Sequence, residues 1–184
     1  DPEDTLTKNE KVHLDLWHYK DQRLQPQQLL EKDDDLKASL MFAYHINSDK
    51  VVQLENDTLD VYEDYNLKGK YLMGSSDEPY AHTYNWVSPR PRDFYRVNIE
   101  TGEAEMVLTG QKFWPSMSPS GKYMEFYCDG EHHMLDLETG QEKRLIQGEG
   151  GSARPQPSPD GKYIAFIRRV RTKTVLHLFD RETG

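Results

Sequence analysis

The sequence predicts an all-β fold: an antiparallel β-propeller arc of about four four-stranded blades, incomplete at both ends. Two near-copies of one segment, Trp114–Phe126 and Arg154–Phe166, each carry a Ser-Pro-x-Gly-Lys-Tyr unit. A second shared signal ends in Glu-Thr-Gly and follows each copy, at Leu135–Gly140 and Leu178–Gly184. The two copies lie about 40 residues apart, which is a period typical of propeller blades.

A Ser-Pro-x-Gly turn, Ser-Pro-Asp-Gly in the second copy, precedes the strand of each copy. Proline presets position i+1 of a type I turn, and Gly161 supplies the positive φ that a bulged hairpin requires. The following strand, Lys162–Ile167, shows no polar alternation, so we expect both of its faces to be buried between neighbouring sheets. Thr174–Phe179 is rich in β-branched and apolar residues, which favours a second strand before the turn at Glu182–Gly184.

Repetition of these signals divides a single domain, residues 1–184, into four predicted blades. The blades cover approximately residues 12–54, 62–108, 113–146 and 154–184. In the third blade, Lys143–Ile146 completes the set of four strands, A to D, with charges suited to a sheet edge.

The first predicted blade is degenerate. Val12–Trp17 alternates with period 2 and predicts a strand, Ala38–Ile46 predicts another, and a turn leads into the strand Val51–Leu54. Between the first two, Tyr19–Lys37 predicts a long loop with a short helix at Gln27–Lys32. The acidic run inside that loop lacks the spacing of an EF-hand and is interpreted as a solvated face.

The other blades differ in their connections. The second blade carries an insertion, Ser75–Asp93, between strands B and C, and Gly148–Ser152 predicts a flexible link before the fourth blade. The fourth blade stops at its C–D turn. We therefore expect a fragment or fused piece of a larger ring, which could also pair with a second copy of itself.

Composition narrows the classes of function. The net charge of −9 disfavours a partner with a phosphate backbone, and no apolar run is long enough to cross a membrane. One cysteine, Cys128, excludes an internal disulfide, and its place at a strand end favours a small buried residue over a nucleophile. His132 and His133 are adjacent and should point to opposite sides of a strand, so no metal site or cofactor is predicted.

Two B–C connections carry the residues that we predict to contact a ligand or a neighbouring domain. Such connections share one end of an up-and-down blade, and aromatic side chains on a long loop often serve recognition. The alternatives are a self-packed loop and a solvated hairpin. The predicted contact residues are Tyr80, His82, Tyr84 and Trp86 in the insertion, and Arg168, Arg169 and Arg171 in the fourth blade.

Residues 62–184, with their Trp/Arg-Pro-x-x-Ser-Pro-x-Gly-Lys-Tyr unit, resemble the TolB-type, WD40-like propeller repeat. The segment Leu14–Gln28, the strand Leu40–Ile46 and Gly74–Tyr80 resemble the N-terminal propeller of bacterial prolyl-oligopeptidase-family (S9) serine peptidases. That resemblance implies a non-catalytic propeller that gates peptide access to an α/β-hydrolase domain, in a periplasmic or secreted protein.

The sequence departs from the peptidase pattern because no Gly-x-Ser-x-Gly elbow occurs in it. No catalytic residue is predicted, and we expect the chain to be inactive by itself. Two other hypotheses stay open: a TolB-like propeller that binds protein partners, and a propeller appended to an amidohydrolase, which the segment Gly151–Thr174 resembles.

Overall fold

The computed structural model describes residue 18 and residues 21–62, 69–83, 86–146 and 156–183, without the side chains of residues 146 and 168–170. In this part of the chain the strands form four antiparallel sheets. Sheet I contains β1 (Phe42–His45) and β2 (Lys50–Gln53), and sheet II contains β3 (Asp60–Tyr62), β4 (Tyr71–Ser76), β5 (Arg92–Asn98) and β6 (Ala104–Gln111). Sheet III contains β7 (Ser116–Met117), β8 (Tyr123–Cys128), β9 (Glu131–Asp136) and β10 (Glu142–Ile146), and sheet IV contains β11 (Gln156–Pro157), β12 (Tyr163–Val170) and β13 (Lys173–Asp180).

Strand order within each sheet follows the order of the chain, so every sheet is an up-and-down meander. Sheets II and III have the four strands that the repeat predicts, while the described residues supply three strands to sheet IV and two to sheet I. The prediction of an all-β fold built from successive antiparallel blades is confirmed. In the described residues before sheet I the chain forms an α-helix, α1 (Gln25–Asp35), and none of the described helices is long and apolar enough to span a bilayer.

Successive sheets pack through three apolar clusters, which we call seams. Seam I/II contains Val52, Leu54, Leu59, Val61, Leu72 and Val97. Seam II/III contains Phe94, Leu108, Met124, Phe126 and Leu137. Seam III/IV contains Met134, Ile164 and Phe166. Burial of these side chains supplies the main driving force that holds neighbouring blades together.

The repeated proline–glycine turn joins strand A to strand B and also contacts the preceding sheet. Gly121 and Gly161 have φ values of +70° and +74°, which confirms the predicted left-handed glycines. A Cβ atom on Gly121 would lie 2.7 Å from a ring carbon of Tyr71, the tyrosine of the equivalent unit in sheet II. Glycine is therefore required here both by the backbone conformation and by the close approach of the turn to that ring.

The strand after Gly161 is buried on one face only, so the prediction of two buried faces is wrong. Ile164 and Phe166 are buried in seam III/IV, whereas Ile167 is 41% exposed. Side chains alternate along a strand, and among the described residues only sheet III packs against sheet IV. The apolar residues of the other face therefore stay in contact with solvent.

The N-terminal elements differ in length from their predictions. The helix is longer than the predicted Gln27–Lys32, because Arg23 forms ion pairs with Glu31 and Asp35 along its side, at 2.8 and 2.9 Å. The predicted strand at 38–46 is paired with a neighbouring strand only over Phe42–His45, because the partner strand ends at Gln53. The predicted strand at 12–17 and the predicted link at 148–152 lie outside the described residues.

Candidate recognition site around Arg92 and Trp114

A polar network surrounds Arg92 where strands β4 and β5 meet the B–C insertion. The Arg92 guanidinium donates from Nη1 to Ser75 Oγ at 2.8 Å and from Nη2 to Asp77 Oδ2 at 3.0 Å. Nη1 also lies 3.4 Å from Asp60 Oδ2 and 3.3 Å from the Tyr62 hydroxyl. Three strands and the start of the insertion therefore hold one arginine in a fixed orientation, and the planar fork of its donors suits that task.

Trp114 covers this network. Its ring meets Tyr62 edge to face with centroids 4.8 Å apart and meets Phe94 in the same way at 5.3 Å. The Arg92 guanidinium carbon lies 5.6 Å from the centre of the Trp114 ring, within the range of a cation–π contact. Although it is packed on these sides, the Trp114 side chain remains 42% exposed. The indole is thus positioned rigidly and still presents apolar surface to solvent.

A second aromatic pair extends the surface. Phe113, directly before Trp114, meets Tyr127 edge to face at 5.3 Å and is half exposed. Tyr127 in turn contacts His132, with ring centroids 4.9 Å apart. The link between sheets II and III therefore presents two neighbouring aromatic side chains, each supported by rings of a different sheet.

The charges around Trp114 are mostly negative. Asp60 and Asp77 keep 58% and 33% of their side chains exposed, while the Arg92 that pairs with both is 24% exposed. Burial raises the pKa of Tyr62 above its ordinary value, so its hydroxyl stays protonated at neutral pH and can donate a hydrogen bond. A site of this composition can bind an aromatic or cationic group. Among the described residues, no cluster of histidine, cysteine and carboxylate side chains could hold a metal ion.

The predicted contact residues of the insertion separate into two kinds. Tyr80 lies in a short 3-10 helix, Glu78–Thr83, and its hydroxyl donates to Asp93 Oδ1 at 2.6 Å, which raises the Tyr80 pKa. The N–H of Gly110 donates to the same oxygen at 2.9 Å, so Tyr80 ties the insertion to β5 and β6. His82 and Trp86 point to solvent, and Trp86 is 73% exposed.

The remaining predicted contact residues are only partly described. Tyr84 lies outside the described residues. Arg168 and Arg169 belong to β12 but their side chains are outside the description, whereas Arg171 is exposed in the β12–β13 turn, with a positive φ of 55°. A contact role for these arginines, for His82 and for the three aromatic residues stays a prediction.

Two other sequence-based expectations can be compared with the geometry. His132 and His133 do face opposite sides of sheet III: His132 stacks toward Phe166 of sheet IV, while His133 stacks on Phe126 of its own sheet. Cys128 is half-buried, and burial raises the pKa of its thiol. A thiol that stays protonated is a poor nucleophile, in agreement with a structural cysteine.

Sequence reasoning missed the residues at the centre of the site. Asp60, Asp77 and Arg92 come from different strands and loops, and no local pattern connects them. Trp114 carried one signal, because it opens its repeat at the position where the other copy has Arg154. An aromatic side chain at the start of a blade, next to a second one, indicates a surface role that the repeat alone does not require.

Comparison with known proteins finds likenesses that cover part of the chain. No family model matches it. An uncharacterised protein of Agrobacterium fabrum is 34% identical over 73 residues, which is 36% of this chain and 25% of that protein. The structure of TolB from Acinetobacter baumannii is similar with a TM-score of 0.49 and 20% identity, over 79% of this chain and 36% of that one.

A candidate TolB of Agrobacterium tumefaciens has a TM-score of 0.47 and 16% identity, over 72% of this chain and 49% of its own. This chain thus spans between a quarter and half of the length of these relatives.

Proposed function

We propose that this chain is a protein-recognition module that binds a peptide segment of a partner protein on the surface around Trp114 and Arg92. The segment would carry an aromatic or basic side chain, or both. The observation that supports this proposal most directly is the exposed, rigidly supported Trp114 ring beside two partly exposed carboxylates.

Trp114 has the properties of an anchor for binding. Tryptophan, tyrosine and arginine dominate the residues whose loss costs most at protein interfaces, and these three types are combined here. Because Tyr62 and Phe94 already fix the ring, little side-chain entropy remains to be lost when a partner covers it. Phe113, the preceding residue, is a second aromatic side chain that is half exposed.

Charge favours a basic partner. The chain carries a net charge of −9, and the carboxylates of Asp60 and Asp77 are accessible next to the indole. Their shared counter-ion, Arg92, neutralises only one of the two charges. An arginine or lysine of the partner could therefore stack on Trp114 and approach a carboxylate at the same time.

Selection from a phage-displayed library of random peptides tests the proposal. The library is panned on the full chain alone, and enriched peptides are synthesised for calorimetric titration against the full chain and the Trp114→Ala variant. We expect basic and aromatic peptides whose affinity falls about tenfold or more in Trp114→Ala, as for an anchor residue. Peptides that bind both proteins equally would refute a site at Trp114.

Trp86→Ala is the matched control, since Trp86 is also an exposed tryptophan but stands outside the Arg92 network. The proposal requires unchanged affinity in this variant. Loss of binding in Trp86→Ala together with normal binding in Trp114→Ala would move the site to the B–C insertion. Circular dichroism of each variant distinguishes lost contacts from lost folding.

The S9 resemblance gives a narrower hypothesis, in which the partner is an α/β-hydrolase domain and the propeller gates its substrates. We place it second because no contact described above is specific for such a domain. It shares one expectation with the first proposal, namely that the chain does not hydrolyse proline-type peptide substrates. Turnover by the purified chain would contradict both.

A further inference from the structure

Within the part of the chain that the structure describes, sheets I and IV each leave one apolar face uncovered. On sheet IV the face contains Ile167, Leu176 and Leu178, which are 41% to 70% exposed, and we call it the tail face. Direct cross-strand pairing of Ile167 with Leu176 places these two side chains on the same side of the sheet. Surfaces of this kind are uncommon on isolated soluble proteins and often mark an interface.

On sheet I the uncovered face contains Phe42, Tyr44 and Val51, which are 52% to 61% exposed, and we call it the head face. Tyr44 and Val51 are direct cross-strand partners and therefore lie on the same side. The other side of the same strands, with Val52 and Ala43, is packed in seam I/II. Sheet I is thus covered by sheet II on one side only.

The tail face corresponds, residue by residue, to a face that is buried elsewhere in the molecule. Alignment of the two Gly-Lys-Tyr units places Leu178 at the position of Met134, because their partners Ala165 and Glu125 are equivalent. Met134 is buried in seam III/IV against the following sheet. The tail face therefore has the register of a surface that packs onto a next sheet.

The head face corresponds instead to the face of a sheet against which the preceding sheet packs. In sheets II and III, one side of strand C packs onto the following sheet and the other side receives the preceding one. Leu137 lies on the receiving side of sheet III, in seam II/III. Sheet I turns its other side toward sheet II, so its head face is a receiving side with no sheet on it among the described residues. One molecule thus carries both a face that would pack onto a following sheet, the tail face, and a face that would receive a preceding sheet, the head face.

The geometry points to head-to-tail association of two copies of this chain, in which the tail face of each copy packs on the head face of the other. Each seam joins two different faces, and two copies related by a two-fold axis would form both seams at once and close a ring. The interface is separate from the Trp114 site, so the two proposals can fail independently.

Sedimentation velocity of the full chain between about 5 and 200 μM, a range that covers the weak interfaces of small apolar patches, gives the first test. We expect a species of twice the monomer mass. Leu178→Asp on the tail face and Tyr44→Asp on the head face should each abolish it, since each places a charge in an apolar seam. A wild-type chain that remains monomeric over this range would overturn the inference, as would a dimer that survives both substitutions.

Mixing the two variants gives the sharper test. Leu178→Asp keeps an intact head face and Tyr44→Asp keeps an intact tail face, so the mixture should form a heterodimer joined by one seam. Met106→Asp is the matched control, because Met106 is an exposed apolar residue on β6, away from both faces, and it should leave the dimer intact. Failure of the two variants to associate when mixed, with normal circular dichroism spectra, would overturn the head-to-tail arrangement.

Discussion

Seams II/III and III/IV both place an arginine between two groups that the copies of the repeat unit share, the tyrosine of the earlier sheet and the glycine carbonyl of the later one. In seam II/III, Arg96 stacks over Tyr71 at 4.7 Å and lies 3.4 Å from the Gly121 oxygen. In seam III/IV, Arg181 stacks over Tyr123 at 5.2 Å and donates to the Gly161 oxygen.

The two arginines come from opposite sides of their seams. Arg96 belongs to the earlier sheet and pairs with Glu105, whose side chain is 59% exposed. Arg181 follows the last strand of the later sheet and pairs with Glu125, which is fully buried. Equivalent positions in the two seams thus hold an arginine whose counter-ion is exposed to water in seam II/III and buried in seam III/IV.

This difference teaches that equivalent geometry does not mean equivalent energetics. A partly exposed ion pair gains little, because water solvates both charges almost as well as the pair does. A buried pair must compensate the desolvation of two charges, and the loss of one partner leaves the other uncompensated. Burial raises the pKa of Glu125, and the Arg181 guanidinium opposes that shift.

Removal of one member of the buried pair should produce the largest effect. Arg181→Ala leaves the Glu125 carboxylate alone in seam III/IV, and we expect a loss of about 3–5 kcal/mol in the free energy of unfolding. Urea unfolding followed by tryptophan fluorescence measures it. The corresponding change in seam II/III, Glu105→Ala, should cost less than about 1 kcal/mol.

The double variant Glu125→Met/Arg181→Met separates the cost of an unpaired charge from the value of the pair. Replacement of both partners by apolar side chains should recover most of the stability lost in Arg181→Ala. A double variant as unstable as the single one would mean that Arg181 acts mainly through Gly161 and Tyr123. Equal losses in Arg181→Ala and Glu105→Ala would remove the contrast between the seams.

Local sequence chemistry predicted the parts of the fold that both seams share. Proline and glycine impose their backbone angles within four residues, so the turns at Gly121 and Gly161 could be located without tertiary information. The strands that follow were located by their composition. Burial of the strand after Gly161 was overestimated, because burial depends on whether another sheet covers it, and local composition does not record that.

The residues that distinguish the seams had no such signal. Glu125 and Arg181 lie inside the repeated segments but are 56 positions apart. The equivalent positions of the other copies hold Ala165 and Leu137, so the repeat does not predict the ion pair. The candidate site shows the same limit, since Asp60, Arg92 and Trp114 meet only after sheet II has formed and the following link has folded over it. Contacts between distant residues are set by register and packing, which a single sequence does not specify.

Substitution of the turn glycines should give an intermediate effect and tests how tightly seam II/III is closed. Gly121→Ala combines a left-handed conformation, which costs about 1–2 kcal/mol for alanine, with a Cβ atom 2.7 Å from the Tyr71 ring. We expect about 1–3 kcal/mol more from this overlap. Gly140→Ala is the control, because its φ is +69° and no atom lies within 4 Å of the added Cβ.

Urea denaturation of both alanine variants measures the difference. Gly161→Ala should resemble the control, since the nearest atom to its Cβ, a guanidinium nitrogen of Arg181, is 3.6 Å away. Introduction of Gly121→Ala into a Tyr71→Gly background should cost less than in the wild type, because this background lacks both the ring and the Tyr71 Cβ, which lies 2.8 Å from the added atom. Equal costs for Gly121→Ala and Gly140→Ala would contradict a close approach between the turn and the ring.

Mild acid should weaken seam III/IV selectively, with the smallest effect of the three. Burial, and secondarily the nearby His133, lowers the pKa of His132 below its ordinary value near 6.5. The unfolded chain then binds more protons than the folded one between that ordinary value and the lowered pKa, so the free energy of unfolding falls as the pH drops through this window.

Replacement of His132 isolates this contribution from the other titrating groups. His132→Phe keeps an aromatic ring against Phe166 and Tyr127 but cannot be protonated. We expect the stability of this variant to decrease less than that of the wild type between pH 7 and pH 5, the range in which histidine charges. The His82→Gln variant, which removes an exposed histidine outside seam III/IV, is measured beside it as the control. Because Glu125 has a raised pKa, its protonation acts in the opposite direction and is common to all three proteins, so the difference between the slopes reports His132 alone. Identical slopes for His132→Phe and the wild type would show that the histidine of seam III/IV does not make it more acid-sensitive than seam II/III.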